Sequence, residues 1–224
     1  MTATWRGLVP IALLLAALPG AAEEPRGWFP LEDGLTWTYS LQLRRGAESQ
    51  QIEYRARVAR REEVGGLSCA VIEARSGERL LESTWFGWDG KRLRNPRRQT
   101  GRAPVELREG TGPAGRLFLD LAALEAAPGA EPVRWEWTAA DGSAKGTIVL
   151  EKHETLDLPG LGPRECLVLL ETAELQAGER RATQERRLWL AEGLGMVQER
   201  CRFAIAGAEA TETVAVLLRK PERS

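Results

Sequence analysis

The sequence predicts an all-β protein: a twisted antiparallel sheet, or an open or half barrel, built from two tandem repeats with a short helix or extended crossover between them. Three observations predict it. Apolar and polar residues alternate with a period of two along much of the chain, the mark of strands with one buried face. Turn signals rich in Gly and Asp separate these runs. Three Trp- and Cys-centred motifs of the first half recur, in the same order, in the second.

The chain opens with a different pattern. Met1–Gly7 carries one positive charge, Arg6. Leu8–Leu18 is an apolar run, and Pro19-Gly20-Ala21-Ala22 breaks the helix and supplies small residues. That order is the signature of a secretory signal peptide, with cleavage expected after Ala22. The run is shorter than the roughly 20 residues of a spanning helix, and no later stretch is long enough. The expected protein is therefore exported to the periplasm or outside the cell and is not an integral membrane protein. No Cys lies near the cleavage site, which argues against a lipid anchor. Residues 23–224 are expected to form a single β-rich domain: repeat one over about 27–95, a linker over about 96–131, repeat two over about 132–206, and a final strand over about 210–219.

Within repeat one, Leu35, Trp37, Tyr39, Leu41 and Leu43 alternate with Thr36, Thr38, Ser40, Gln42 and Arg44. Tyr54, Ala56 and Val58 alternate with Glu53, Arg55 and Arg57. Further strands are predicted over 69–74, 83–88, 133–138, 147–153, 165–174, 182–191, 196–206 and 212–218, with turns at Gly65-Gly66, Asp89-Gly90, Asp141-Gly142, Ala177-Gly178 and Glu192-Gly193. Trp37 recurs as Trp135, 98 residues on, Cys69 as Cys166, 97 on, and Trp85 as Trp189, 104 on. Preserved order and near-constant spacing favour duplication over the echoes that any β-meander shows. The linker opens with a basic run (Lys91, Arg92, Arg94, Arg97, Arg98, Arg102). A Gly/Pro loop over 110–115 follows, then an apolar segment over 117–126 that reads as a short helix or an extended piece, placed to cover a sheet edge.

The segment Gly27-Trp28-Phe29-Pro30-Leu31-Glu32-Asp33-Gly34-Leu35-Thr36-Trp37-Thr38-Tyr39 resembles the opening of the DUF3108-like secreted bacterial proteins. Arg187-Leu188-Trp189-Leu190-Ala191-Glu192-Gly193-Leu194-Gly195-Met196-Val197 is similar to their late hairpin, with Leu190 and Glu192 where that family often has Tyr and Pro. The resemblance implies a curved sheet related to LolA/LolB-type lipoprotein carriers and an envelope compartment. It supplies no catalytic residues.

Composition narrows the function classes. The whole chain holds 31 basic and 32 acidic residues, a balance that gives no support for nucleic-acid binding. Its three Cys (Cys69, Cys166, Cys201) form no CxxC or Cys/His cluster, so no metal site and no cofactor is expected. An odd number leaves at least one free thiol or an intermolecular bond. Setting Thr172 opposite Thr183 and Trp189 opposite Gln198 puts Cys166 and Cys201 too far apart to bridge, and buried, unpaired thiols are the expected state. The sequence has no P-loop, GxGxxG or GxSxG. His153, the one histidine, has Glu151 and Glu154 beside it.

Trp37, Trp135 and Trp189 are expected in the core. Trp85 and Trp88 fall on opposite faces of one strand, leaving one available to a ligand. The basic run reads first as a solvated loop and second as a contact for lipid headgroups or envelope polysaccharide. Trp85, Trp88, Arg94, Arg97 and Arg98 are thus the candidate ligand-binding residues. The expected function is that of a non-catalytic module holding an apolar or amphiphilic ligand, such as a lipid or envelope component, or a protein partner. The alternatives are an envelope hydrolase using His153 with the nearby carboxylates, and a purely structural protein.

Overall fold

A computed structural model describes residues 27–101, 106–107, 115–126, 133–139, 142–177 and 180–223. The expected signal peptide, 1–22, lies outside them, as do much of the expected linker and the turn residues Asp141 and Gly178.

Five strands, β1 (Leu35–Arg45), β2 (Glu48–Val64), β3 (Leu67–Ser76), β4 (Arg79–Asp89) and β5 (Arg92–Thr100), form an antiparallel meander. Two short strands, β6 (Glu106–Leu107) and β7 (Arg116–Asp120), pair along the free side of β5. A one-and-a-half-turn helix, α1 (Leu121–Ala126), follows; it starts where Asp120 Oδ1 accepts the Ala123 amide at 3.1 Å. A second five-strand meander comprises β8 (Arg134–Thr138), β9 (Ala144–Leu158), β10 (Gly162–Ala177), β11 (Arg180–Ala191) and β12 (Gly195–Ile205). Next, β13 (Thr211–Leu217) inserts between β12 and β1 and joins the two meanders into one sheet. The terminal β14 (Glu222–Arg223) also pairs with β1.

The all-β prediction holds: every pairing is antiparallel, and the sheet order runs β6-β5-β4-β3-β2-β1-β13-β12-β11-β10-β9-β8. The sheet curls until β7 approaches β8, giving a nearly closed barrel. The alternation read in the sequence sorts residues between its faces. Trp37, Tyr39, Val58, Leu169, Leu190 and Leu217 share one continuous core inside the curl. The hairpin joining β2 and β3 is tight because Gly65 and Gly66, at φ 60° and 79°, both accept left-handed backbone.

The two meanders also match in detail. In the first, Glu62 lies opposite Cys69 and Val71 opposite Trp85, and the Trp85 indole donates to Glu62 at 2.7 Å. In the second, Glu154 lies opposite Cys166 and Val168 opposite Trp189, and the Trp189 indole donates to Glu154 at 3.4 Å. A cation two residues ahead, Arg60 or Lys152, pairs with each glutamate. All three cysteines are free; Cys69 and Cys166 are fully buried, Cys201 partly so.

Three local expectations change. From Arg92 to Arg98 the basic run is part of strand β5, not a solvated loop, because the Arg92 and Arg98 guanidiniums find carboxylates on neighbouring strands, while Arg102 lies outside the described residues. The segment placed to cover an edge is both extended and helical, β7 then α1. On the β10–β11 hairpin Thr183 faces Glu174 rather than Thr172, and Cys166 faces Ala191 rather than Trp189. That shift is two residues, so every side chain keeps its predicted face.

Candidate functional site

Between the first meander and strands β11 to β13 the curl leaves a cavity of about 290 Å³. Its apolar wall is made by inward residues of β1 to β4: Trp37, Tyr39, Leu41, Tyr54, Ile72 and Phe86. Phe29, from the segment before β1, and Phe118, from β7, close it on the side where the first meander meets the crossover. Phe29, Phe86 and Phe118 pack on one another with ring centroids 4.8 to 5.9 Å apart. Tyr39 and Tyr54, cross-strand partners, stack at 5.0 Å and 19°. The wall is pinned by polar contacts. Trp37 Nε1 donates to the Leu194 carbonyl at 2.7 Å, and the Tyr39 hydroxyl to the Met196 carbonyl at 2.8 Å. Tyr54 lines the same cavity, and its hydroxyl has no hydrogen-bond partner among the described residues. Burial raises the pKa of both tyrosines, so both remain protonated phenols.

The other end of the cavity is charged. Arg98 donates to Glu82 from Nε at 2.9 Å and from a terminal nitrogen at 2.5 Å, and the Thr84 hydroxyl donates to the second Glu82 oxygen at 2.7 Å. Arg186 meets Glu199 as a two-pronged pair at 2.9 Å and 2.9 Å, and its third nitrogen lies 3.6 Å from Glu171. Behind it, Arg116 of β7 pairs with Glu171, both almost wholly buried, and its guanidinium lies over the Phe118 and Trp137 rings. Burial would raise the Glu82 pKa, but Arg98 and the Thr84 hydroxyl, with Arg186, hold it below the ordinary carboxylate value. Burial would likewise lower the Arg186 pKa, and Glu199, Glu171 and Glu82 outweigh it.

These pairs occupy matching positions. Glu82 stands three residues before Trp85, and Arg186 three before Trp189. Arg98 faces Thr84 across β4–β5, as Glu199 faces Leu188 across β11–β12. One meander carries acid then base, the other base then acid. The cavity therefore holds two cations and two anions in complementary array.

Of the five candidate ligand-binding residues, Arg98 alone lines this cavity. Trp85 is 4% exposed in a small separate cluster with Val64, Cys69 and Val71. Trp88 is partly buried against the main core. Arg94 is buried, 3.8 Å from Asp89, and donates to the Gly115 carbonyl at 3.3 Å. Arg97 lies opposite Trp85, on the face away from the cavity. His153 is exposed on β9; Glu151 is held by Arg187, and Glu154 by Lys152 and Trp189. Among the described residues no group of three or more His, Cys, Asp or Glu could hold a metal ion. Sequence reasoning missed Tyr54, Glu82, Arg186 and Glu199. The available signal was phase: each falls in step with the apolar residues of its strand.

No family model matches the sequence, and no curated protein matches it, so the motif resemblance to the DUF3108-like proteins gains no support there. Solved structures do match in shape. A Bacteroides fragilis protein described as exported, with a YmcC-like fold, superposes with TM-score 0.50 at 12% identity, covering 88% of this chain and 99% of that one. A Parabacteroides distasonis lipoprotein gives TM-score 0.39 at 11% identity over 88% and 99%. The Escherichia coli lipoprotein YmcC gives 0.35 at 16% over 82% and 84%. Of these three, the Bacteroides fragilis structure is the one similar enough to establish a shared architecture, and at 12% identity the fold is all it establishes.

Proposed function

We propose that this protein is an exported, non-catalytic module of the bacterial envelope that holds an apolar or amphiphilic ligand in the cavity of its barrel. The observation that carries the reading is the cavity itself: an aromatic and aliphatic wall on one side and paired charges on the other. At about 30 Å³ for each water-sized group, 290 Å³ accommodates about ten such groups, the size of a short acyl segment. Export is supported by the three-zone N-terminal sequence over 1–22 and by the Bacteroides fragilis protein of like fold, which is described as exported. Residues 23–224 then act as one unit whose two meanders are copies of an ancestral one. An exposed His153 whose neighbouring carboxylates are engaged elsewhere offers nothing that favours the hydrolytic alternative.

Native mass spectrometry on protein isolated from the periplasm tests the proposal. The expected spectrum shows a small organic adduct that leaves on denaturation. Bare protein, together with no change in Trp fluorescence on titration with decane, would overturn it.

A further inference from the structure

We infer that the ligand carries an uncharged hydrogen-bonding head, such as a hydroxyl, ester or amide, and that this head is received by the Tyr54 hydroxyl. The inference rests on the cavity reading above and adds the chemical class of the occupant.

The first ground is charge. The side chains lining the cavity include Glu82, Arg98, Arg186 and Glu199, two of each sign. Each guanidinium already holds a carboxylate within 2.5 to 2.9 Å. Arg186 has all three nitrogens within reach of Glu199 or Glu171. A carboxylate or phosphate entering here gives up its water and meets cations that are already neutralised. A cationic head meets carboxylates in the same condition. Burying either without a counter-charge is strongly unfavourable. An uncharged head avoids that cost.

The second ground is an open valence. Tyr39, stacked on Tyr54, spends its hydroxyl on the Met196 carbonyl, and Trp37 spends its indole N–H on Leu194. The Tyr54 hydroxyl has no partner among the described residues, and Tyr54 lines the cavity. A phenol both donates and accepts, so it matches a hydroxyl, an ester carbonyl or an amide equally. Its position beside the Arg186–Glu199 pair sets the polar end of the ligand where the wall turns from aromatic to charged.

A matched series of ten-carbon probes tests this by calorimetry on the purified protein: decane, 1-decanol, decanoate and decyltrimethylammonium. Decanol is expected to bind about a hundredfold more tightly than either ion. Tyr54→Phe, which keeps the stacked ring, is expected to weaken decanol about fivefold, the worth of one neutral hydrogen bond, and to leave decane unchanged. Decanoate or the ammonium probe binding as tightly as decanol would overturn the inference, as would a Tyr54→Phe protein that binds decanol as well as the parent does. In either case decane binding keeps the cavity reading intact. Failure of all four probes, decane included, overturns both.

Discussion

The pair Arg116–Glu171 gives the sharpest test of how this barrel is held closed. Arg116 is 1% exposed and Glu171 3%, and the guanidinium lies 5.7 Å from the Phe118 ring centre and 4.9 Å from that of Trp137. Replacing Glu171 with Leu leaves Arg116 buried without its partner. An arginine does not relieve that by losing its proton, so the cost should be about 3–5 kcal/mol. Replacing Arg116 with Met is milder. Glu171 keeps Arg186 at 3.6 Å, and the loss should be about 2 kcal/mol, one charged hydrogen bond. The double variant Arg116→Met/Glu171→Leu removes both charges and fills the space with apolar atoms. It should be more stable than the Glu171→Leu protein by about 2 kcal/mol or more. Urea unfolding followed by circular dichroism, compared at constant slope, measures all four proteins. Two single losses below about 1 kcal/mol, or a double variant equal to the sum of the singles, would refute the reasoning.

Other expectations follow from the same geometry. Trp37 and Trp135, at 4% and 8% exposure, should each cost about 3–5 kcal/mol when truncated to Ala in urea unfolding; two small losses would remove them from the core. Glu82 has a folded pKa below its ordinary 4.5, so its ionic contribution is present above pH 4.5 and is lost as pH falls through the folded value. Glu82→Gln should accordingly flatten the acid limb of stability against pH, and an unchanged limb would contradict the pairing with Arg98. Burial pushes the Cys69 and Cys166 thiols up to about 11, so at neutral pH Ellman's reagent should find neither in the native protein and all three thiols in urea.

The fold was legible because its signals are local. Strand faces follow from alternation at Trp37, Tyr39, Tyr54, Ala56 and Val58, and the five-strand meanders from the order of turns. The register of β10 on β11 was less so. Whether Thr183 faces Thr172 or Glu174 depends on where the turn closes, and composition does not fix that point to better than two residues. The basic run misled for a physical reason. Arg92, Arg94 and Arg98 look solvated along the chain, but Asp120, Asp89 and Glu82 meet them across the sheet. Glu171 and Arg186 were readable in principle, since they stand in phase with Leu169 and Leu188. A charge on a buried face is the trace of a partner that only the closed sheet supplies, and Arg116, on a short crossover strand, is that partner.

The two meanders differ in the rings they set at matching positions. Tyr39 and Tyr54 face each other across β1–β2 at the positions where Trp137 and Gly146 face each other across β8–β9. A Cβ on Gly146 would lie 2.8 Å from the Trp137 ring, so that ring lies directly against the glycine, and Arg116 packs on it. In the first half, two medium rings stack and leave space beyond them. Ala74 on β3 borders that space, between Ala56 and Glu82. Ala74→Leu should therefore place its added carbons in the void rather than against packed neighbours. Overpacking would cost about 1–3 kcal/mol, whereas filling a real cavity should leave stability unchanged or raise it by up to about 1.5 kcal/mol. Decane affinity should fall more than about tenfold, since three added carbons remove a large share of a space for about ten groups. Urea unfolding and calorimetry on the one variant read both quantities. A clear loss of stability would mean that no such space exists, and undiminished decane binding would place the ligand elsewhere.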